Sequence, residues 1–231
     1  MTVQIGNYVV DRDQPPLSPE EQETVDRFHD LYYRRWRAGA DTINLSWFGH
    51  LVFKCPLDLW IYQELLTRTR PDVVIECGTC AGGSALYLAM LLDLIGHGEV
   101  ITIDIAPRPG LPEHPRLTYI SGSSTDPPVV AGVRERVGHR RAMVILDSDH
   151  RADHVLDELL AYRDLVQPGD YLIVEDTNVN GHPAYTDYGP GPMEAAERFL
   201  ALDDRFEVDD RCQRFLMTLQ PRGYLRRRVR T

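Results

Sequence analysis

The sequence predicts an α/β fold: a doubly wound, mostly parallel sheet of seven strands over residues 71–231, preceded by a helical N-terminal extension over 1–70. Three observations predict it. From Asp72 onward, short apolar runs alternate with helix-length segments. Runs such as Val73-Val74-Ile75 and Ala142 to Leu146 are continuously apolar, as parallel strands buried on both faces are. And four of the five runs end on an acid, at Glu76, Asp104, Asp147 and Glu175.

The elements follow in order. Pro15, Pro16 and Pro19 lead into a helix from Ser18 or Pro19 to about Ala38, with Ser18 and Glu21 spaced as a capping box. The rest of residues 1–50, including Trp47-Phe48-Gly49-His50, shows no clear period. Leu57 to Arg70 is a second helix, apolar at Leu57, Trp60, Ile61 and Leu65 and stopped by Pro71. After the strand at Val73 comes a helix from Ser84 to Ile95, closed at Gly96 and Gly98. Val100 to Ile103 and Leu117 to Ile120 are strands, Pro127 to Val137 a helix, and Ala142 to Leu146 a strand. A helix from Ala152 to Val166 stops at Pro168-Gly169, and Tyr171 to Val174 is the fifth strand. A last helix spans Met193 to Leu202. Phe206-Glu207-Val208 and Phe215 to Leu219 then lie close enough for a hairpin that reverses direction. With no repeat and no flexible linker, residues 1–231 read as one domain.

Composition excludes several classes of function. Lys plus Arg number 25 against 35 Asp plus Glu, a net charge of −10, which argues against a broad grip on nucleic acid. The arginines at 226, 227, 228 and 230 read as a solvated end. Asp11, Arg12 and Asp13 interrupt the start, so no secretory signal is expected, and the longest apolar run, Ala85 to Leu92, is far short of the roughly 20 residues of a membrane span. Cys55, Cys77, Cys80 and Cys212 do not resemble a disulfide framework. The chain reads as a cytoplasmic protein with no nucleic-acid or membrane partner.

Two clusters carry chemistry. The first is the loop Glu76-Cys77-Gly78-Thr79-Cys80-Ala81-Gly82-Gly83-Ser84. A dinucleotide fingerprint needs glycine at 78, 80 and 83, and position 80 is cysteine, so a nicotinamide dehydrogenase fails. A carboxylate at the strand end would repel a pyrophosphate but suits the positive end of a methionine-type ligand. Asp104 ends the next strand, where a carboxylate accepts ribose hydroxyls. Cys77-x-x-Cys80 lacks a second pair and reads as small residues filling the turn rather than a redox or zinc motif. The second cluster is Asp147-Ser148-Asp149-His150 with Glu175-Asp176, at the ends of strands expected to be neighbours about 4.8 Å apart. Converging carboxylates raise one another's pKa unless a cation joins them, and oxygen ligands favour Mg, Ca or Mn. Separately, each acid could be no more than a helix cap or loop charge.

These motifs resemble the class I S-adenosylmethionine (SAM) methyltransferases, which have a Rossmann-like fold. Within them they resemble the cephalosporin hydroxylase-type and rhamnosyl O-methyltransferase family, from roughly Trp47 to the C-terminus. The resemblance implies that Glu76, Gly78, Gly82, Ser84, Asp104, Ser123 and Asp147 hold SAM, with Ser123 and Ser124 on the adenine side. It implies that Asp147, Glu175 and Asp176 bind Mg2+ and that His150 is the general base, with His154 structural or a helper. Asp149 receives no role beyond capping the next helix. The other histidines (His29, His97, His114, His139) read as surface residues. The polar and aromatic run through His182, Tyr185 and Tyr188 suits a sugar, by hydrogen bonds to hydroxyls and rings against its apolar face. Lys54 joins this substrate set, or is a surface charge; Trp47, Asp58 and Arg214 sit in similar context. The implied activity is Mg-dependent O-methylation of a sugar hydroxyl, on a glycan of polymethylated mannose or rhamnose type or a glycosylated natural product. A catechol- or phenol-type enzyme would carry Lys, not His, three residues after Asp147; a SAM sensor would need no metal. A homodimer or higher homo-oligomer, built partly through the N-terminal helices, is expected.

Overall fold

The computed structural model describes residues 2–5, 8–11, 16–38 and 45–229. Two short hairpins that periodicity does not reveal lie in the N-terminal part: β1 (Thr2–Ile5) with β2 (Tyr8–Asp11), and β3 (Leu45–Trp47) with β4 (His50–Val52). Strands of three or four residues are too short for alternation to register. The second hairpin turns through Phe48 and Gly49, both at positive φ (48° and 84°), the hand that matches strand twist in two-residue loops. Between the hairpins runs α1 (Pro19–Ala38), opened by the expected capping box: Ser18 N donates to Glu21 Oε2 at 2.8 Å, and Glu21 N to Ser18 Oγ at 3.3 Å.

After α2 (Pro56–Thr69) the alternating part begins with β5 (Val73–Cys77), α3 (Gly83–Ile95), β6 (Glu99–Asp104) and β7 (Leu117–Ser121). It continues through α4 (Pro127–Val137), β8 (Ala142–Leu146), α5 (Ala152–Tyr162), β9 (Tyr171–Val174) and α6 (Pro192–Leu202) to β10 (Phe206–Val208) and β11 (Tyr224–Arg227). The seven-stranded sheet runs β10-β11-β9-β8-β5-β6-β7, with β5 to β9 parallel and the last two strands antiparallel, as predicted. Alternation along buried strands splits the core in two. Val73, Ile75 and Cys77 pack with residues of α4, α5 and α6, while Val74, Met143 and Ile145 pack with those of α2 and α3. Among the described residues no helix is long and apolar enough to cross a membrane.

Three expectations are corrected. Phe215 to Leu219 is not a strand: Leu216 has φ 69°, and the segment turns inward so that Leu219 N donates to Asp58 Oδ2 at 2.9 Å. The ladder position goes to β11, whose Tyr224 and Leu225 are fully buried between β9 and β10; the run at Arg226 and Arg227 is therefore sheet rather than a solvated end. The helix expected to reach Val166 stops at Tyr162, and Val166 instead bridges to Ala142 at the sheet.

His29, expected at the surface, is 3% exposed, with Nε2 3.0 Å from Asn178 Nδ2. Burial lowers its pKa to about 4, against the pull of Asp26 and Asp30. The unfolded chain takes up the proton near 6.5 and the folded one only near 4, so acid favours unfolding through that window. By pH 5 the loss is about 2 kcal/mol. Urea unfolding at pH 7 and 5 should show His29→Gln losing less stability than the wild type. Equal losses in both would contradict the buried neutral imidazole.

Candidate functional site

The chain builds outward from β5 to β7 and then returns to β8 on the other side of β5, so the topological switch point lies between the carboxyl ends of β5 and β8. Gly78, at φ 100°, follows β5 there; a Cβ on it would lie 2.0 Å from the Asp147 carbonyl oxygen, so only glycine lets the two strand ends meet. A cleft of about 600 Å³ opens over this point, lined by Gly78, Asp104, Ser123, Asp147 and Ser148 among others. Gly82 caps the N-terminus of α3. Below the loop Glu76 is fully buried and accepts from Ser84 Oγ at 2.6 Å and Thr102 Oγ1 at 2.8 Å. Burial raises its pKa, against Lys54 and the two hydroxyls. Asp104 ties the loop to β6: Oδ2 accepts from Thr79 N (3.1 Å) and Cys80 N (3.0 Å), and Oδ1 from Ala106 N (2.9 Å). A carboxylate has about four acceptor positions, so one remains on Oδ1, and Asp104 lines the cleft.

The acids after β8 and β9 converge, and they bring cations with them. His150 Nε2 lies 3.3 Å from Asp147 Oδ1 and 3.4 Å from Asp176 Oδ2; one ligand atom from each of the three falls within 4.8 Å of the others. Asp176 holds φ 51°, a strained position for a non-glycine residue. Glu175, 3% exposed, lies deeper. Its Oε1 accepts from Lys54 Nζ at 2.7 Å and from the Tyr62 hydroxyl, and its Oε2 from Gln220 Nε2. Lys54 also donates to Asp147 Oδ2. It is thus no surface charge but a buried cation shared by two carboxylates.

The charges respond in kind. Burial opposes the Lys54 ammonium, but Asp147, Glu175 and Glu76 outweigh it and raise its pKa. Burial likewise opposes the His150 imidazolium, yet Asp176 and Asp147 push its pKa up to about 9. Asp147 is held low by Lys54 and His150 in spite of burial, whereas burial lifts Asp176, and lifts Glu175 to about 8. Four carboxylates face one lysine and one histidine. A divalent cation suits that imbalance, and the carboxylate oxygens of Asp147 and Asp176 are fitting donors for it, with the imidazole beside them.

The run expected to meet substrate forms a braced loop. Glu194 Oε1 accepts from Asn180 Nδ2 at 2.7 Å and lies 3.1 Å from His182 Nε2, while Glu194 Oε2 accepts from Gly191 N at 2.7 Å. His182 is therefore tied within the loop. Tyr185 and Tyr188 stack edge to face, centroids 5.4 Å apart, and the Arg37 guanidinium covers Tyr185 at 3.7 Å. A second cleft of about 630 Å³ lies between the end of α1 and this loop, lined by Tyr33, Arg35, Arg37, Tyr185 and Thr186 among others. Tyr33 packs in one cluster with Val179, three residues beyond Asp176, which joins this cleft to the loop after β9.

The remaining candidates make contacts within the fold. Trp47 donates Nε1–H to Met90 Sδ at 3.2 Å and stacks on Tyr87. Asp58, 1% exposed, receives Tyr224 OH at 2.8 Å and Leu219 N at 2.9 Å. Arg214, outside any strand, pairs with Glu64 at 2.6 Å on the surface. Asp149 accepts Arg151 N at 3.0 Å, just ahead of α5. Sequence reasoning missed Tyr62, Gln220 and Glu158. Tyr62 sits on the apolar face of α2 beside Ile61 and Leu65, so nothing marks its hydroxyl, and Gln220 lies beyond a misread strand.

Comparison with known proteins adds the following. The family model described as Rhamnosyl O-methyltransferase/CmcI matches residues 41–228. A rhamnosyl O-methyltransferase of Mycobacterium tuberculosis is 37% identical over 217 residues, covering 84% of this chain and 87% of that protein. One from Mycobacterium leprae is 35% identical over 204 residues, covering 85% and 89%. A structure of CmcI with Mg and SAM superposes with a TM-score of 0.62 at 23% identity, covering 85% of this chain and 84% of that one, a likeness of fold.

Proposed function

Since the chain belongs to the rhamnosyl O-methyltransferase/CmcI family and is a SAM-dependent O-methyltransferase, we propose that its acceptor is a sugar hydroxyl, that it works with Mg2+, and that His150 is the general base. The observation that carries this is the meeting of His150 and Asp176 with Asp147, a residue that itself lines the switch-point cleft.

The residues divide the work. Glu76, Gly78, Gly82, Ser84, Asp104, Ser123 and Asp147 form the SAM side, with Glu76 countering the positive methionine end and Asp104 accepting from the ribose. The strand-end carboxylates of Asp147, Glu175 and Asp176 would hold the cation, with Lys54, Tyr62 and Gln220 keeping Glu175 in place. When bound, such a cation lowers the pKa of a hydroxyl beside it. His150 takes the hydroxyl proton as the O–CH3 bond forms and the S–CH3 bond breaks, leaving a methyl ether and S-adenosylhomocysteine. For that it must be neutral, which its two carboxylate neighbours oppose until they are engaged elsewhere. Tyr185, Tyr188 and the cleft beside α1 offer the aromatic, hydrogen-bonding surface a sugar needs.

Asp104→Ala should weaken SAM binding by about 1.5–3 kcal/mol, the worth of a hydrogen bond to a charged group. Unchanged affinity in calorimetry would remove Asp104 from the site. The acceptor is tested by offering free sugars, glycosides and phenols with methyl-labelled SAM. Label is expected in a sugar ether; label in phenols alone would point to the catechol-type reaction.

A further inference from the structure

Behind the cleft wall formed by the turns after β7 and β8 lies a buried acid that the scheme above leaves unused. Glu158, on α5, is fully buried. Its Oε1 accepts the hydroxyls of Ser148, at 2.6 Å, and of Ser124, while Oε2 has no hydrogen-bond partner among the described residues. One turn earlier, His154 Nε2 lies 3.1 Å from Ser148 Oγ, 3.4 Å from Ser124 Oγ and 3.5 Å from Glu158 Oε1. Ser124, Ser148 and His154 all line the 600 Å³ cleft. The Cys77 thiol is the other polar side chain set against this carboxylate. Burying a carboxylate is costly, and packing alone gives no reason for one.

A hydroxyl has one proton and two lone pairs. A carboxylate on the inner side can only accept, so it draws both seryl protons inward; His154 Nε2–H can then donate to one seryl lone pair, and the lone pairs left over serve the cleft as acceptors. Asp104 ends β6, and β7 is its neighbour toward the sheet edge, so a nucleoside with its ribose on Asp104 can set its base against this wall. We propose that Glu158 is a positioning residue that sets the wall to accept hydrogen bonds, and that the wall thereby selects a base carrying an exocyclic amine over one carrying a carbonyl in its place. This rests on the SAM reading above. A glutamine at 158 could donate from its amide, releasing the seryl protons toward the cleft and relaxing the choice.

The test is calorimetry of S-adenosylhomocysteine and of its deaminated, inosine-bearing counterpart with the full chain. The wild type should prefer the amino base by about tenfold or more, since a site built for a donor is left with unpaired groups by its replacement. Glu158→Gln should cut that preference about fivefold or more. If Glu158→Gln does not fold, Ser124→Ala, which keeps the buried acid, must lower the preference in the same direction. A Glu158 that served packing alone would weaken both ligands together with the preference unchanged, and that result overturns the proposal. A wild type that binds both equally overturns it too, leaving the SAM reading intact; one that binds neither fails the SAM reading first.

Discussion

His150→Ala is expected to slow methyl transfer by about 10²–10⁴-fold at saturating SAM and metal, the usual contribution of a positioned general base. Single-turnover rates measure it, and calorimetry on the same variant should find SAM and metal still bound. The geometry makes the second measurement decisive, because His150 Nε2 is within 3.4 Å of both Asp147 and Asp176. A collapse of metal affinity with the rate would assign the imidazole to coordination instead. In protein stripped of divalent ions, the His150 proton should titrate near 9, above its ordinary 6.5. Its ion pairs therefore contribute fully to stability below pH 6.5 and are lost as the pH rises through 9. An imidazole titrating below 6.5 would contradict the ion pairs.

Lys54→Met should destabilise the fold by about 3–5 kcal/mol, the cost of leaving buried carboxylates without their cation. Asp147 and Glu175 share that one ammonium, and Lys54 is 2% exposed at its side chain, so water cannot take its place. Denaturant titration checks the loss. Magnesium should restore part of the stability, since it supplies positive charge to the same acids. A Lys54→Met variant as stable as the wild type would show that the acids are relieved in another way.

What was legible in the sequence is what repeats or punctuates. Apolar runs, four of them ending in acids, placed five parallel strands and put Asp147 and Asp176 at adjacent strand ends, because in a parallel sheet every strand delivers its last residue to the same edge. The failed dinucleotide spacing at Cys80 and the glycine at 78 marked the loop proposed to hold SAM, which leaves β5 at that same edge. Illegible were the features that depend on tertiary partners. Phe215 to Leu219 has the composition of a strand, yet Asp58 draws its backbone inward, and the arginine-rich segment at Tyr224 takes the ladder instead. Lys54 looked equally like a surface charge, since only the fold brings it to Asp147, 93 residues away, and to Glu175, 121 away. His29 carries no local sign of burial, and its partner Asn178 lies 149 residues on.

On the reading proposed, the strand-end carboxylates serve a metal-assisted methyl transfer to a sugar. The most direct measurement is transfer of labelled methyl from SAM to a glycoside acceptor after removal of divalent ions with a chelator, with SAM affinity followed in parallel. Turnover should vanish, return on adding Mg2+, and fail to return in Asp147→Ala, while SAM still binds to the stripped protein. Undiminished turnover in the chelated enzyme would contradict the account, returning Asp147, Glu175 and Asp176 to the role of ion-pair partners for Lys54 and His150.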